Sequence, residues 1–262
     1  MIRFIVNADD FGFDENRTKA ILEAYREGWI STTTAIVTTP WFPKAIELAS
    51  GSRLSRNIGL HLNLTEGKPL TDTIKKSPLF CDSDGRFNAC FHHSLKYRLF
   101  LPSFEKKAVM EEVEAQLNLY RQSGLTCLHL DSHHHVHTDI SIANIVLPMA
   151  ARLGFKGVRL SRNLGNISFL KKIYKHFINS RLGRGLNPNS DYFCNFNAML
   201  ERVNALPDNC TLEVMTHPIY SRDGAPDLSG ELTEFHWSCR RIRDFCRHLP
   251  DNLQLVDYEG TL

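Results

Sequence analysis

Strand-like and helix-like segments alternate along nearly the whole chain, and this alternation limits the fold more than any other feature of the sequence. Short apolar runs that fit buried strands recur at 3–7, 34–38, 58–63, 127–131, 158–161, 212–216 and 253–257. Between them, helical periodicity fills 15–23, 42–49, 104–121, 140–153, 167–180, 196–206 and 231–247. Strands that alternate with helices call for a mostly parallel sheet covered by helices, the α/β class. Seven such units fit a closed or nearly closed seven-stranded (β/α) barrel better than an open sheet. At 262 residues one domain over 1–262 has the ordinary size of such a barrel. Two stretches break the pattern, 65–103 and 183–194, and both are expected as long loops that serve substrate.

Composition narrows the class of partner. Thirty-one basic and 29 acidic residues leave a formal charge of +2, read as evenly mixed with no segregated block, so neither nucleic acid nor a membrane is called for. No apolar run approaches the ~20 residues of a membrane helix, and the apolar start Ile2-Arg3-Phe4-Ile5-Val6 is too short for a signal peptide. The seven cysteines form no CxxC pair, and their odd number cannot pair completely within the chain. Reduced thiols and a cytoplasmic location follow as expectations.

Polar residues gather at the C-terminal ends of the strand candidates. Asp9 and Asp10 follow the first; His61 and Asn63 lie on the third; His129, Asp131 and His133 lie on or just after the fourth. Arg159, His217 and Asp257 stand at the ends of the last three. In parallel α/β folds this edge is where catalytic side chains converge. Strand alternation turns Leu60, Leu62 and Leu64 toward the helices, and Gly59, His61 and Asn63 toward the interior. A histidine or carboxylate placed there must be hydrogen-bonded, paired or metal-bound. Five histidines (129, 133, 134, 135 and 137) fall within nine residues, and imidazole is the commonest side-chain metal ligand. Two histidines and one carboxylate from different strands form an open metal site of catalytic type. Asp14 reads instead as a helix N-cap. Phe11, Trp41, Phe87 and Tyr192 are candidates to stack on a ring of the substrate.

The segments Asn7-Ala-Asp-Asp-Phe-Gly12, Gly59-Leu-His-Leu-Asn-Leu-Thr-Glu-Gly-Lys-Pro-Leu70, His129-Leu-Asp-Ser-His-His-His-Val-His137 and Met215-Thr-His-Pro218 resemble, in order, the signatures of the YdjC-like carbohydrate deacetylases. The resemblance implies an irregular barrel of the polysaccharide-deacetylase type, short of eight strands. It implies an acetylated carbohydrate as substrate and hydrolysis of an N-acetyl group on an amino sugar. It places one divalent metal ion on Asp10, His61 and His133, with Mg or Zn foremost and Co, Mn, Ni or Fe also suited. Asp9 would be the general base, Arg159 would orient Asp9, and His217 would be the general acid. Ile219 and Cys194 stand where glycine is usual in the family, which leaves the particular sugar undetermined. So are the roles of His129, Asp131, His135 and His137, and a homodimer is allowed. Beside this reading stand a metal-dependent phosphoesterase or amidohydrolase, an iron oxygenase, and an inactive sugar- or metal-binding relative.

Overall fold

A computed structural model describes residues 1–219, 244–245 and 252–260. The strands are β1 Ile2–Phe11, β2 Thr32–Ala35, β3 Ile58–Leu62, β4 His129–Ser132, β5 Gly157–Val158, β6 Asn187–Pro188, β7 Tyr192–Asn195, β8 Thr211–Thr216 and β9 Leu253–Leu255. The helices are α1 Glu15–Arg26, α2 Phe42–Ala49, α3 Asp72–Lys75, α4 Leu95–Leu99, α5 Ser103–Gln122, α6 Ile140–Arg152, α7 Phe169–Gly185 and α8 Phe196–Arg202. All sheet pairings are parallel, in the order β6-β5-β4-β3-β2-β1-β8-β7. β9 pairs with the start of β1, Ile2 to Phe4, on the edge that β2 takes over from Asn7 onward.

The sheet separates two kinds of interior. Phe4, Val6 and Ala8 of β1, Leu60 and Leu62 of β3, Leu130 of β4 and Leu212 and Val214 of β8 join the apolar core beneath the helices. Their strand neighbours Asn7, Asp9, His61, Asp131 and Glu213 are as fully buried but polar, as the period of two requires. A side chain at position 59 would collide with the β4 backbone, because a Cβ there would lie 2.9 Å from the His129 carbonyl oxygen.

Helix α1 begins where Asp14 caps it, its carboxylate accepting from the Arg17 N–H at 2.8 Å. Helix α5 shows the helical spacing in Val109, Val113, Leu117 and Tyr120, all buried. It also buries Glu112 and Gln116, which fix the loop after β3. Gln116 accepts from Asn63 N–H and donates to Asn63 O, while Glu112 accepts from the Leu70 and Thr71 N–H groups.

Several expectations need correction. The stretch 183–194 is not a loop: α7 runs to Gly185, and β6 and β7 follow within it, so the described sheet has nine strands rather than seven. Two-residue β6, with its proline, and β7 lack an alternating run long enough to stand out from turn-like composition. Strand 34–38 sits earlier, at β2, and 158–161 shrinks to β5. The stretch 65–103 is loop apart from α3, α4 and a bridge between Cys81 and Phe87. Of the proposed sugar-stacking aromatics, Phe11 and Phe87 are buried in the core. Charge is also segregated after all: no acidic residue occurs between Asp139 and Asp191, and α7 alone carries Lys171, Lys172, Lys175, Arg181 and Arg184. Helix 231–247 falls outside the described residues except at 244 and 245, where helix is present. The five described cysteines are free thiols, and among the described residues no helix is long and apolar enough to cross a membrane.

Candidate active site

Asp9 and Asp10 are adjacent, and in a regular strand they would point to opposite faces of the sheet. A bulge changes this. Between Ala8 and Phe11 the pairing with β2 slips by one residue, and Asp10 takes φ 71°, in the left-handed region that aspartate tolerates better than most residues. Asp9 stays in the interior while Asp10 turns onto the rim.

There Asp10 meets two histidines. Its Oδ1 lies 2.9 Å from His133 Nδ1 and 3.3 Å from His61 Nε2. One ligand atom from each of the three residues lies within 4.8 Å of the others, so the set expected from the sequence converges. His61 is oriented from behind, its Nδ1 donating to Asp131 Oδ1 at 2.6 Å, which leaves Nε2 for the rim. A carboxylate behind a ligating imidazole is the usual partner that fixes its tautomer. Burial lowers the proton affinity of His61, but Asp131, Asp10 and Asp9 outweigh it and push its pKa up to about 10. The donor set of one carboxylate and two imidazoles therefore fits a divalent metal ion.

His133 comes from a 3₁₀ turn after β4, His133–Thr138, in which His134 and His135 both adopt positive φ, 53° and 56°. These conformations swing His133 over Asp10. Its far nitrogen, Nε2, lies 3.0 Å from Glu66 Oε2. Glu66 is presented by Asn63, whose side-chain oxygen accepts from the N–H groups of Thr65 and Glu66. Glu66 was not singled out in the sequence, although it stands inside the second signature.

Beneath the rim lies Arg159, fully buried and facing three carboxylates. Its Nη1 and Nη2 donate to the two oxygens of Asp9 at 2.7 and 2.8 Å, its Nε donates to Glu213 at 2.6 Å, and Nη1 is 2.7 Å from Asp131. The guanidinium also stacks 4.8 Å over the Phe193 ring. Even with the proton that His61 holds against Asp131, two positive charges face three negative ones here, which favours a further cation at the rim above. Burial alone would raise the Asp9 carboxyl, but the Arg159 charge and hydrogen bonds, with a contribution from His217, hold it below the ordinary range. Glu213 was missed in the sequence, where its place between Leu212 and Val214 on a strand was the available signal.

His217 stands with Nε2 3.8 Å from Asp9 Oδ2, so the expected acid and base are neighbours. The remaining histidines divide. His129 stacks flat on Tyr258, ring centroids 3.6 Å apart, and its Nδ1 meets Asn189 Oδ1 at 2.7 Å. His137 is sealed in, Nδ1 2.6 Å from Ser132 Oγ and Nε2 3.0 Å from the Arg159 carbonyl. Asp257 is buried but joins none of the three carboxylate and imidazole groups found among the described residues. Two clefts flank the turn that carries His133. One, of about 1000 Å³, includes Phe13 and Glu66; the other, of about 510 Å³, includes His134 and His135.

Comparison with known proteins agrees with this picture. The model of the family described as YdjC-like protein matches residues 3–245. A Brevibacillus brevis protein named carbohydrate deacetylase is 30% identical over 84% of this chain and 82% of its own length. One of that name from Vibrio parahaemolyticus is also 30% identical, over 84% of this chain and 79% of its own. The crystal structure of a proposed cellobiose-phosphate cleavage protein of Enterococcus faecalis V583 superposes with a TM-score of 0.71, covering 98% of this chain and 97% of that one, at 23% identity. This last likeness speaks for the fold alone. With a family model that spans most of its length and relatives that align along most of theirs, the chain belongs to the YdjC-like protein family.

Proposed function

We propose that the chain is a cytoplasmic, metal-dependent carbohydrate deacetylase that hydrolyses the N-acetyl group of an amino sugar to acetate and a free amine. The observation that carries this reading is the meeting of Asp10, His61 and His133 at one point, with a second carboxylate, Asp9, alongside. Relatives that align over 84% of this chain are named carbohydrate deacetylases, which supports the substrate class.

Asp10, His61 and His133 would hold a divalent cation, with Mg and Zn foremost among the metals suited to such ligands, and it would supply the Lewis acidity needed at the acetyl carbonyl and at water. Asp9, kept ionised by Arg159, accepts the proton of the attacking water. Arg159 does not touch substrate in this scheme; it positions Asp9 by holding both of its oxygens. His217 delivers a proton to the departing nitrogen. Burial outweighs the pull of Asp9 and Asp10 and holds its pKa below the ordinary value, so His217 rests neutral. The proton it delivers is the one Asp9 takes from the water, passed on across the 3.8 Å between Asp9 Oδ2 and His217 Nε2, which returns Asp9 to its ionised form.

Acetate release from a panel of N-acetylated sugars tests the scheme, with metal content measured alongside. Chelation abolishes release and re-addition of metal restores it. Asp10→Ala loses both metal and release. Asp9→Asn keeps its metal and loses about a hundredfold to ten-thousandfold in rate, the usual contribution of a general base. An active Asp9→Asn removes Asp9 from that role. Silence across the panel with metal bound removes the deacetylase reading.

A further inference from the structure

His61 and His133 reach Asp10 through different nitrogens. His61 turns Nε2 toward the Asp10 carboxylate, at 3.3 Å, while His133 turns Nδ1 toward it, at 2.9 Å. Their rings stand at 71° to each other with centroids 5.6 Å apart, so they approach one carboxylate from separate sides. On the nitrogen that points away from Asp10, each ring meets a further carboxylate. For His61 it is Asp131, 2.6 Å from Nδ1; for His133 it is Glu66, 3.0 Å from Nε2.

A neutral imidazole carries one proton, and the nitrogen that keeps it cannot ligate. An ionised carboxylate only accepts, so it holds that proton on the nitrogen it faces and leaves the lone pair on the other. Asp131 thereby selects Nε2 of His61 for a cation, and Glu66 selects Nδ1 of His133. The same two contacts fix the face of the His133 ring. Turned over about its Cβ–Cγ bond, the ring would set Cδ2 against Asp10 and Cε1 against Glu66, and both hydrogen bonds would be lost.

Glu66 is 51% exposed, yet its place is fixed from the interior. The buried Asn63 side chain accepts from the Glu66 N–H at 3.2 Å and donates to the Glu66 carbonyl at 2.7 Å. His133 belongs to a second cluster as well, with Glu66 and His134, but that cluster suits a cation less. An ion there would need Nε2 of His133, the nitrogen whose proton Glu66 accepts, and His134 Nδ1 is already 3.0 Å from Thr65 Oγ1. Its outer members Glu66 and His134 are exposed, whereas Asp10 and His61 are buried.

We propose that Glu66 is a positioning residue of the metal site. By accepting from Nε2 it keeps His133 in the tautomer that offers Nδ1, so that the ion is held by Nε2 of His61 and Nδ1 of His133. This rests on the metal-binding part of the function proposed above and is independent of the substrate.

Zinc is the probe. A crystal structure of the zinc-loaded full-length chain shows the ion about 2.0–2.1 Å from His61 Nε2 and His133 Nδ1, the ordinary zinc–imidazole distance, with Glu66 still on His133 Nε2. In calorimetric titration with zinc, Glu66→Ala binds about tenfold more weakly, the lower end for a group behind a ligand because Glu66 is half exposed. Glu66→Gln, whose side-chain oxygen still accepts from Nε2, recovers part of that loss; a mere loosening of the loop would not be repaired in this way. Zinc bound through His133 Nε2, or an ion shared by Glu66, His133 and His134, overturns the proposal and leaves the metal-dependent reading standing. So does a Glu66→Ala variant that binds zinc as tightly as the parent, or a Glu66→Gln variant that recovers nothing. A parent chain that takes up no zinc removes both.

Discussion

His133 and His137 stand four residues apart on one turn, yet their surroundings differ in kind. His133 reaches the rim, between Asp10 and Glu66, where its hydrogen bonds to these carboxylates overcome burial and raise its proton affinity. His137 is enclosed between Ser132 and the Arg159 carbonyl, and burial pushes it down to about 4. Ser132 Oγ accepts from the His137 N–H, so its own proton goes to Nδ1 and Nε2 donates to the carbonyl. His137 is therefore neutral and structural, and His133 is placed for a cation. The contrast extends to the carboxylates: Asp9 is bound on both oxygens by the interior guanidinium, while Asp10 meets two imidazoles through Oδ1 and has Arg17 Nε 4.0 Å from Oδ2. Rim and interior thus divide the work, one for binding and one for holding the binding groups still.

This division can be broken from the interior first. Arg159→Met leaves Asp9 and Glu213 buried without their counter-charge and Asp131 with His61 alone, and such a loss destabilises a fold by about 3–5 kcal/mol. Urea denaturation of the metal-free chain reads the effect directly. A loss under about 1 kcal/mol would mean that the interior network does not hold the barrel together.

The two histidines give a pH test of the same contrast. His137 titrates near 6.5 when unfolded and near 4 when folded, so between these values the unfolded chain binds the extra proton. Its contribution is complete above about pH 6.5, falls as the pH drops toward 4, and amounts to roughly 3 kcal/mol over that window. Replacing His137 by Gln removes this part of the slope of stability against pH. An unchanged slope would show that His137 is not held neutral.

The smallest effect is expected where the two regions touch. Asp131 accepts from His61 Nδ1 and contacts Arg159, so Asp131→Asn loosens the ligand without removing it. Metal affinity, measured by calorimetric titration with zinc, falls about tenfold to a hundredfold, as is usual for groups behind a ligand. Unaltered affinity would detach Asp131 from the rim and leave it to the interior alone.

Much of this was legible in the sequence because strand period and strand ends are local. Leu60, Leu62 and Leu64 against His61 and Asn63 state which way β3 faces, and Asp9, Asp10, His61 and His133 are visible as polar groups at strand ends without knowledge of any neighbour. The sequence by itself determined the α/β alternation and the rim on which the polar groups gather, and the resemblance of its motifs to a known family singled out the three residues that meet there. Tertiary structure alone decided the rest. The bulge that turns Asp10 beside His133 exists only through pairing with β2; β6 and β7 are strands because β5 and β8 supply their hydrogen bonds; and Glu213, Asp131 and Asp9 become one network because Arg159 comes from a fourth strand. Each of these depends on groups far apart along the chain, and periodicity carries no information about which distant segments will meet.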